Sequence, residues 1–133
     1  MKEIILVDAN VLIRFLLRDH PKLSEEAKQI FLRGEKGEVK IYIDEVVIAE
    51  TVWVLTSFYK IGREQLGQSL LKLISQDWMI NSKKRIIIQT LDLFLSCRLD
   101  YIDCWLLAVS RINKISLKTF DKMLEKVSKQ DLL

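Results

Sequence analysis

Four carboxylates, Asp8, Glu50, Asp103 and Asp121, carry the chemistry that this chain offers. Asp8 follows the unbroken aliphatic run Ile4-Ile5-Leu6-Val7, and Asp121 follows the run Ile115 to Lys118 through Thr119 and Phe120. Such runs read as strands buried on both faces of a parallel sheet, and ligands of such sheets bind at the carboxyl edge. Glu50 lies among Val46, Val47, Trp53 and Val54 at helical spacing, which places it in an apolar stripe. An ionised glutamate there needs a partner, and a lysine or arginine meets that need as well as a metal ion does. Asp103 falls in the first turn of a helix for which Asp100 is the N-cap, so a dipole-complementing role is open to it too. Carboxylates gathered in one cleft raise each other's pKa values unless cations neutralise them. Hard oxygen donors without imidazole or thiolate suit Mg²⁺ or Mn²⁺, and such a centre activates water and steadies charge on a phosphoryl oxygen. Phosphodiester hydrolysis is the reaction that this arrangement serves best.

Other chemistries are poorly supplied. The single histidine, His20, precedes Pro21 in a turn and reads as an ordinary surface residue; Cys97 and Cys104 lack the Cys-x-x-Cys spacing. A soft zinc site and a histidine-based triad are thereby excluded. The 133 residues, half of them hydrophobic and 29% charged, suit one globular domain spanning residues 1–133. No apolar run reaches the roughly 18 residues of a membrane span, and a strand that starts by residue 4 leaves no room for a signal peptide. A cytoplasmic protein without membrane contact is expected. The net charge of +3 permits an anionic partner without demanding one. Arg14 and Arg18 share a helix face, and Lys83, Lys84 and Arg85 open a helix against its dipole, so both groups are candidates for holding a phosphate backbone.

The elements that must position these residues alternate. Val11, Leu12, Phe15 and Leu16 mark a helix that ends at Asp19-His20-Pro21; a second helix is expected to start at Ser24 and to stop at Gly34 to Gly37. Val39 to Ile43 reads as a strand, and Asp44 caps a third helix. Arg63 to Gln76 is a helix with Leu66, Leu70, Leu73 and Ile74 on its buried face, and Asp77 to Asn81 is a short edge strand. The helix after the basic triplet runs through Leu91, Phe94 and Leu95; the next buries Ile102, Trp105, Leu106, Val109 and Ile112. Ile115 to Lys118 is a strand and a mostly polar helix follows, with room for a last short strand in Lys129 to Leu133. The alternation predicts an α/β fold, a three-layer α/β/α sandwich around a central, mostly parallel sheet, with no repeat or linker.

Val7-Asp8-Ala9-Asn10, Ala49-Glu50-Thr51-Val52-Trp53-Val54-Leu55, Asp100-Tyr101-Ile102-Asp103 and Thr119-Phe120-Asp121, in this order, together resemble the PIN-domain family, and within it the VapC-type toxins of toxin–antitoxin pairs. The resemblance covers essentially the whole chain. It implies a Mg²⁺- or Mn²⁺-dependent endoribonuclease whose acidic metal site falls on Asp8, Glu50, Asp103 and Asp121, with Asn10 and Thr119 as polar supports. It also implies RNA as substrate, a homodimer, and a small protein antitoxin that inserts a segment into the acidic cleft. Cys104, Trp105 and Leu106-Leu107 stand where the family often has smaller residues. Three readings compete: a phosphatase using Asp8 as covalent nucleophile, a non-catalytic RNA- or protein-binding module, and an RNA-processing nuclease with no antitoxin. Asn10 stands where the phosphatase wants a second aspartate, and all four acids are present where a non-catalytic module commonly loses some.

Overall fold

In the computed structural model, which describes residues 2–130, strands and helices follow one another as β1 (Glu3–Leu6), α1 (Ala9–Leu17), α2 (Pro21–Glu35), β2 (Val39–Tyr42), α3 (Glu45–Ser57), α4 (Arg63–Ile74), β3 (Met79–Ile80), α5 (Lys84–Ser96), α6 (Tyr101–Asn113) and α7 (Lys122–Ser128). The strands pair in parallel in the order β1-β2-β3, with Glu3 opposite Val39 and Ile41 opposite Met79. The fold is the expected PIN-like α/β/α arrangement, its sheet having three strands among the described residues. Parallel pairing forces each connection to cross over through helices, which then cover the sheet. Val39 and Ile41 in the central strand are buried, and Leu12, Ile48, Leu55, Leu70, Ile87, Leu91 and Leu107 bring the helices onto the same core. Among the described residues no helix is long and apolar enough to cross a membrane.

All three strands run the same way, so their carboxyl ends form one edge of the sheet. Asp8 follows β1 there, Asp44 follows β2 and Asn81 follows β3. The first two are helix caps: Asp8 Oδ1 accepts the Val11 N–H at 3.0 Å and Asp44 Oδ1 accepts the Val46 N–H at 2.9 Å.

Four sequence expectations are corrected. β1 is not buried on both faces, since Ile4 is 58% and Leu6 68% exposed; it is an edge strand, covered on one side only. Residues 115–118 are irregular rather than a strand, so Asp121 follows a loop. That segment is held from its ends: the Ser110 hydroxyl donates to the Ile115 carbonyl, and the Arg111 guanidinium donates to the Val127 and Gln130 carbonyls at 3.1 Å, tying α7 back onto α6. α2 starts at Pro21, three residues before Ser24, because proline is suited to the first helical position. His20 caps it, Nδ1 accepting the Leu23 N–H at 3.0 Å, while the Ser24 hydroxyl accepts the His20 N–H at 3.1 Å.

The fourth correction concerns faces. α3 buries Ile48, Thr51, Val52 and Leu55, whereas Val46 is 69% and Trp53 59% exposed, with Glu50 between them in solvent. α6 likewise buries Tyr101, Cys104, Leu107 and Ala108 and leaves Ile102 and Leu106 outside. α3 is apolar nearly all round, so several registers yield a plausible stripe and spacing alone selects none of them. The possible last strand includes Asp131 to Leu133, which lie outside the described residues; Lys129 and Gln130 form a turn.

Candidate active site

Asp103 stands in the first turn of α6, half-buried, on the wall of a cavity of about 460 Å³ between α3, Arg63 and the start of α6. Burial pushes its carboxyl pKa above the usual range, and the neighbouring charges of Asp100 and Asp121 push it the same way. Asp103, Asp100 and Asp121 thus share one negative region. Asp121 caps α7, its Oδ1 accepting the Leu124 N–H at 2.8 Å, and its own N–H donates to the Thr119 hydroxyl at 3.0 Å. Thr119 therefore shapes the turn that carries Asp121.

Asp8 and Glu50 are not joined to this group by any hydrogen bond or ion pair among the described residues. Asp8 lies at the start of α1, Glu50 on the exposed face of α3, and these two helices pack together. Among the described residues no three His, Cys, Asp or Glu side chains stand together as a metal-holding group. The donor set nevertheless fits Mg²⁺ or Mn²⁺ in kind, being oxygen throughout, and Mg²⁺ characteristically keeps several waters while taking only one or two carboxylates. A pair such as Asp103 and Asp121 answers that habit.

The basic candidates divide. Asn10 and Arg14 line a cleft of about 220 Å³ between α1 and α2, and the Arg14 guanidinium is paired with Asp19 at 2.7 Å. Arg18 closes α1 at its far end, about 15 Å from Asp8 at 1.5 Å per residue, in a left-handed conformation with φ of 55°. The basic triplet is largely engaged within the fold. Lys83 pairs with Glu45 at 2.8 Å, and the Lys84 ammonium donates to the Gln76 and Met79 carbonyls at 2.6 and 2.8 Å. Arg85 is left exposed. Lys83 and Asn81, whose amide donates to Glu45 at 3.0 Å, hold the Glu45 carboxyl down at about 2.

One residue central to the site carried no signal in the sequence. Arg63, the first residue of α4, donates through one nitrogen to the Phe94, Cys97 and Leu99 carbonyls at 2.9, 2.9 and 2.7 Å, and its guanidinium lies 3.8 Å from the Phe94 ring centroid. It clamps the α5–α6 connection that delivers Asp100 and Asp103. Nothing in a Gly-Arg-Glu start distinguishes such an arginine from a solvated one, because its acceptors lie more than thirty residues away in sequence.

Comparison with known proteins agrees with this architecture. No curated protein and no solved structure matches the chain. The family model described as PIN domain matches residues 5–130, which takes in all four carboxylates and every strand end just described but the first residues of β1. PIN domains are generally nucleases and typically use divalent metals, and this chain belongs to the PIN domain family.

Proposed function

We propose that the chain is a divalent-metal-dependent endoribonuclease acting as the VapC-type toxin of a toxin–antitoxin pair. The observation that carries this reading is the half-buried Asp103, whose carboxyl pKa is raised by burial and further by the charges of Asp100 and Asp121 beside it. A fold gains nothing from crowding carboxylates, so the crowding points to a cation. Asp103 and Asp121 would hold the ion, with Asp8 and Glu50 completing the acidic set and Asn10 and Thr119 supporting it. When bound, Mg²⁺ or Mn²⁺ supplies the Lewis acidity that activates water and neutralises charge on the phosphodiester. Arg14, Arg18 and Arg85 are the proposed backbone contacts; Lys83 and Lys84 contribute mainly by holding the loop before α5.

A groove of about 540 Å³ between α1, α2 and α4 supports a protein partner. Phe15, Phe31 and Trp78 line it, with Arg18, Lys28 and Lys72 around them, which suits an acidic segment with apolar side chains such as an antitoxin supplies. The homodimer rests on the VapC resemblance, and exposed Val46, Phe58 and Leu106 are available to it. A short reading frame directly upstream that encodes a DNA-binding protein distinguishes this role from RNA processing, and the cytoplasm is the compartment in which it would operate.

The test is cleavage of an unstructured RNA by the purified chain. Activity should require Mn²⁺ or Mg²⁺, cease with chelator, and fall at least about a hundredfold in Asp103→Asn, a typical loss when a catalytic charge is removed. Cutting that persists in chelator and in that variant overturns the proposal.

A further inference from the structure

The acidic crowding leaves one carboxylate unexplained. Asp8, Asp44 and Asp121 each occupy an N-cap position and each spend an oxygen on it, at 3.0, 2.9 and 2.8 Å. Asp100 occupies the same position on α6 and makes no side-chain cap bond. Its exposed carboxylate instead lines the 460 Å³ cavity that Asp103 also lines, a volume within the range of about 300–1,000 Å³ common to small-ligand pockets.

Two further features of that cavity point to a ligand. Tyr101 lines it and is only 6% exposed, and its hydroxyl, itself sealed from water, has no hydrogen-bond partner, an expensive state for a buried polar group that a ligand relieves once the ring turns towards the cavity. Trp53 forms another wall and is largely in solvent, held edge-on by Phe58 with ring centroids 5.2 Å apart. An exposed indole steadied by a second ring is a stacking platform for a planar base.

We propose that this cavity is a nucleobase subsite that selects guanine in single-stranded RNA, with Trp53 stacking on the base, the Asp100 carboxylate reading its Watson–Crick edge and the Tyr101 ring turning outwards to bring its hydroxyl to a further polar atom. The choice of base follows from the acceptor. An ionised carboxylate only accepts, through two oxygens in a plane. Guanine alone of the four bases presents two adjacent donors, N1–H and the N2 amino group, on that edge. Uracil offers one donor, and adenine and cytosine place an acceptor beside theirs, which a carboxylate repels. The inference rests on the nuclease reading for its ligand being RNA, and it adds that bonds near guanosine are the ones brought to Asp103.

The experiment separates base recognition from cleavage. The full chain, kept in chelator, is titrated with GMP, AMP, CMP and UMP while tryptophan fluorescence is followed. GMP should bind about tenfold or more tighter than the others, the discrimination expected of a bidentate pair. Trp53→Phe should remove most of the quenching; Tyr101→Phe, which keeps the ring, should weaken GMP severalfold. Asp100→Asn gives up no cap bond, so it should fold normally by circular dichroism and lose the preference for GMP. With metal restored, cut sites in a mixed-sequence RNA should cluster beside guanosine in the parent and spread in Asp100→Asn. Equal binding of the four nucleotides overturns the proposal. So does an Asp100→Asn variant that keeps its GMP affinity but cuts no RNA, which would make Asp100 a metal ligand. GMP selectivity without RNA cleavage would refute the nuclease and leave the base subsite standing; cleavage blind to guanosine would do the reverse.

Discussion

Replacing Arg63 with alanine should unfold the site before it unfolds anything else. The guanidinium holds the Phe94 carbonyl in the last turn of α5 and the Cys97 and Leu99 carbonyls of the α5–α6 connection through a single nitrogen, which has only two hydrogens to give, so the contacts amount to about two full charge-assisted bonds. At about 1.5–3 kcal/mol each, and with up to about 1 kcal/mol from the Phe94 ring, the gross interaction is several kcal/mol. Arg63 is only half-buried, so water can take over part of those bonds after truncation, and the net cost should come to about 3 kcal/mol. For a chain of this length that corresponds to a fall in Tm of about 10 °C. The measurement is urea and thermal unfolding by circular dichroism. Arg63→Lys keeps a charge but not the fork, and should recover less than half of the loss. At a temperature where the variant remains folded, RNA cleavage should drop because Asp100 and Asp103 follow directly on the released segment. A loss below about 1 kcal/mol, the value of an ordinary exposed contact, would refute the clamp.

Acid should act first through Glu45. Its folded pKa of about 2 lies below the ordinary carboxyl value, so its contribution is fully present above pH 5 and is lost as pH falls from about 5 towards 2. Lys83 is half in water, so the loss should be about 1 kcal/mol rather than the full shift, and Glu45→Gln should flatten that part of the stability profile. Gly34→Ala should cost about 1–3 kcal/mol by overpacking, because a Cβ there would meet Trp78 Cε3 at 2.5 Å; unchanged urea unfolding would show that the indole moves aside freely.

Where local rules act alone, the sequence was legible. Leu66, Leu70, Leu73 and Ile74 face the core of α4 as their spacing required, and Asp44 caps α3 as its position required. The reading failed where one residue type suited two environments. Residues 45–57 carry apolar side chains on every side, so the apparent stripe through Val46, Glu50 and Trp53 was one of several available, and tertiary contacts with α1 and α6 chose another. The true face includes Thr51, a polar residue with no exposure at all, so polarity pointed away from it. Ile4 and Leu6 misled for the opposite reason. A run of aliphatic residues signals burial from both sides, but β1 is an edge strand and its outer face stays in water.

The site residues raise a question of roles, since Asp8 and Asp121 are helix caps as well as candidate ligands. These roles are not rivals. An ionised carboxylate has two oxygens, and in both residues Oδ1 takes the cap bond while Oδ2 takes no protein hydrogen bond among the described residues. A cap bond of 2.8–3.0 Å fixes the rotamer, so the second oxygen is presented without the entropy cost that ordering a free side chain incurs. Asp103 has no such bond and sits in the half-buried wall instead, where burial, and after it the charges of Asp100 and Asp121, raises its pKa. In the proposed site Asp121, with one oxygen free, and the half-buried Asp103, on which its charge acts, form a pair whose repulsion a divalent ion would relieve, so capping by Asp121 does not displace the metal-site reading.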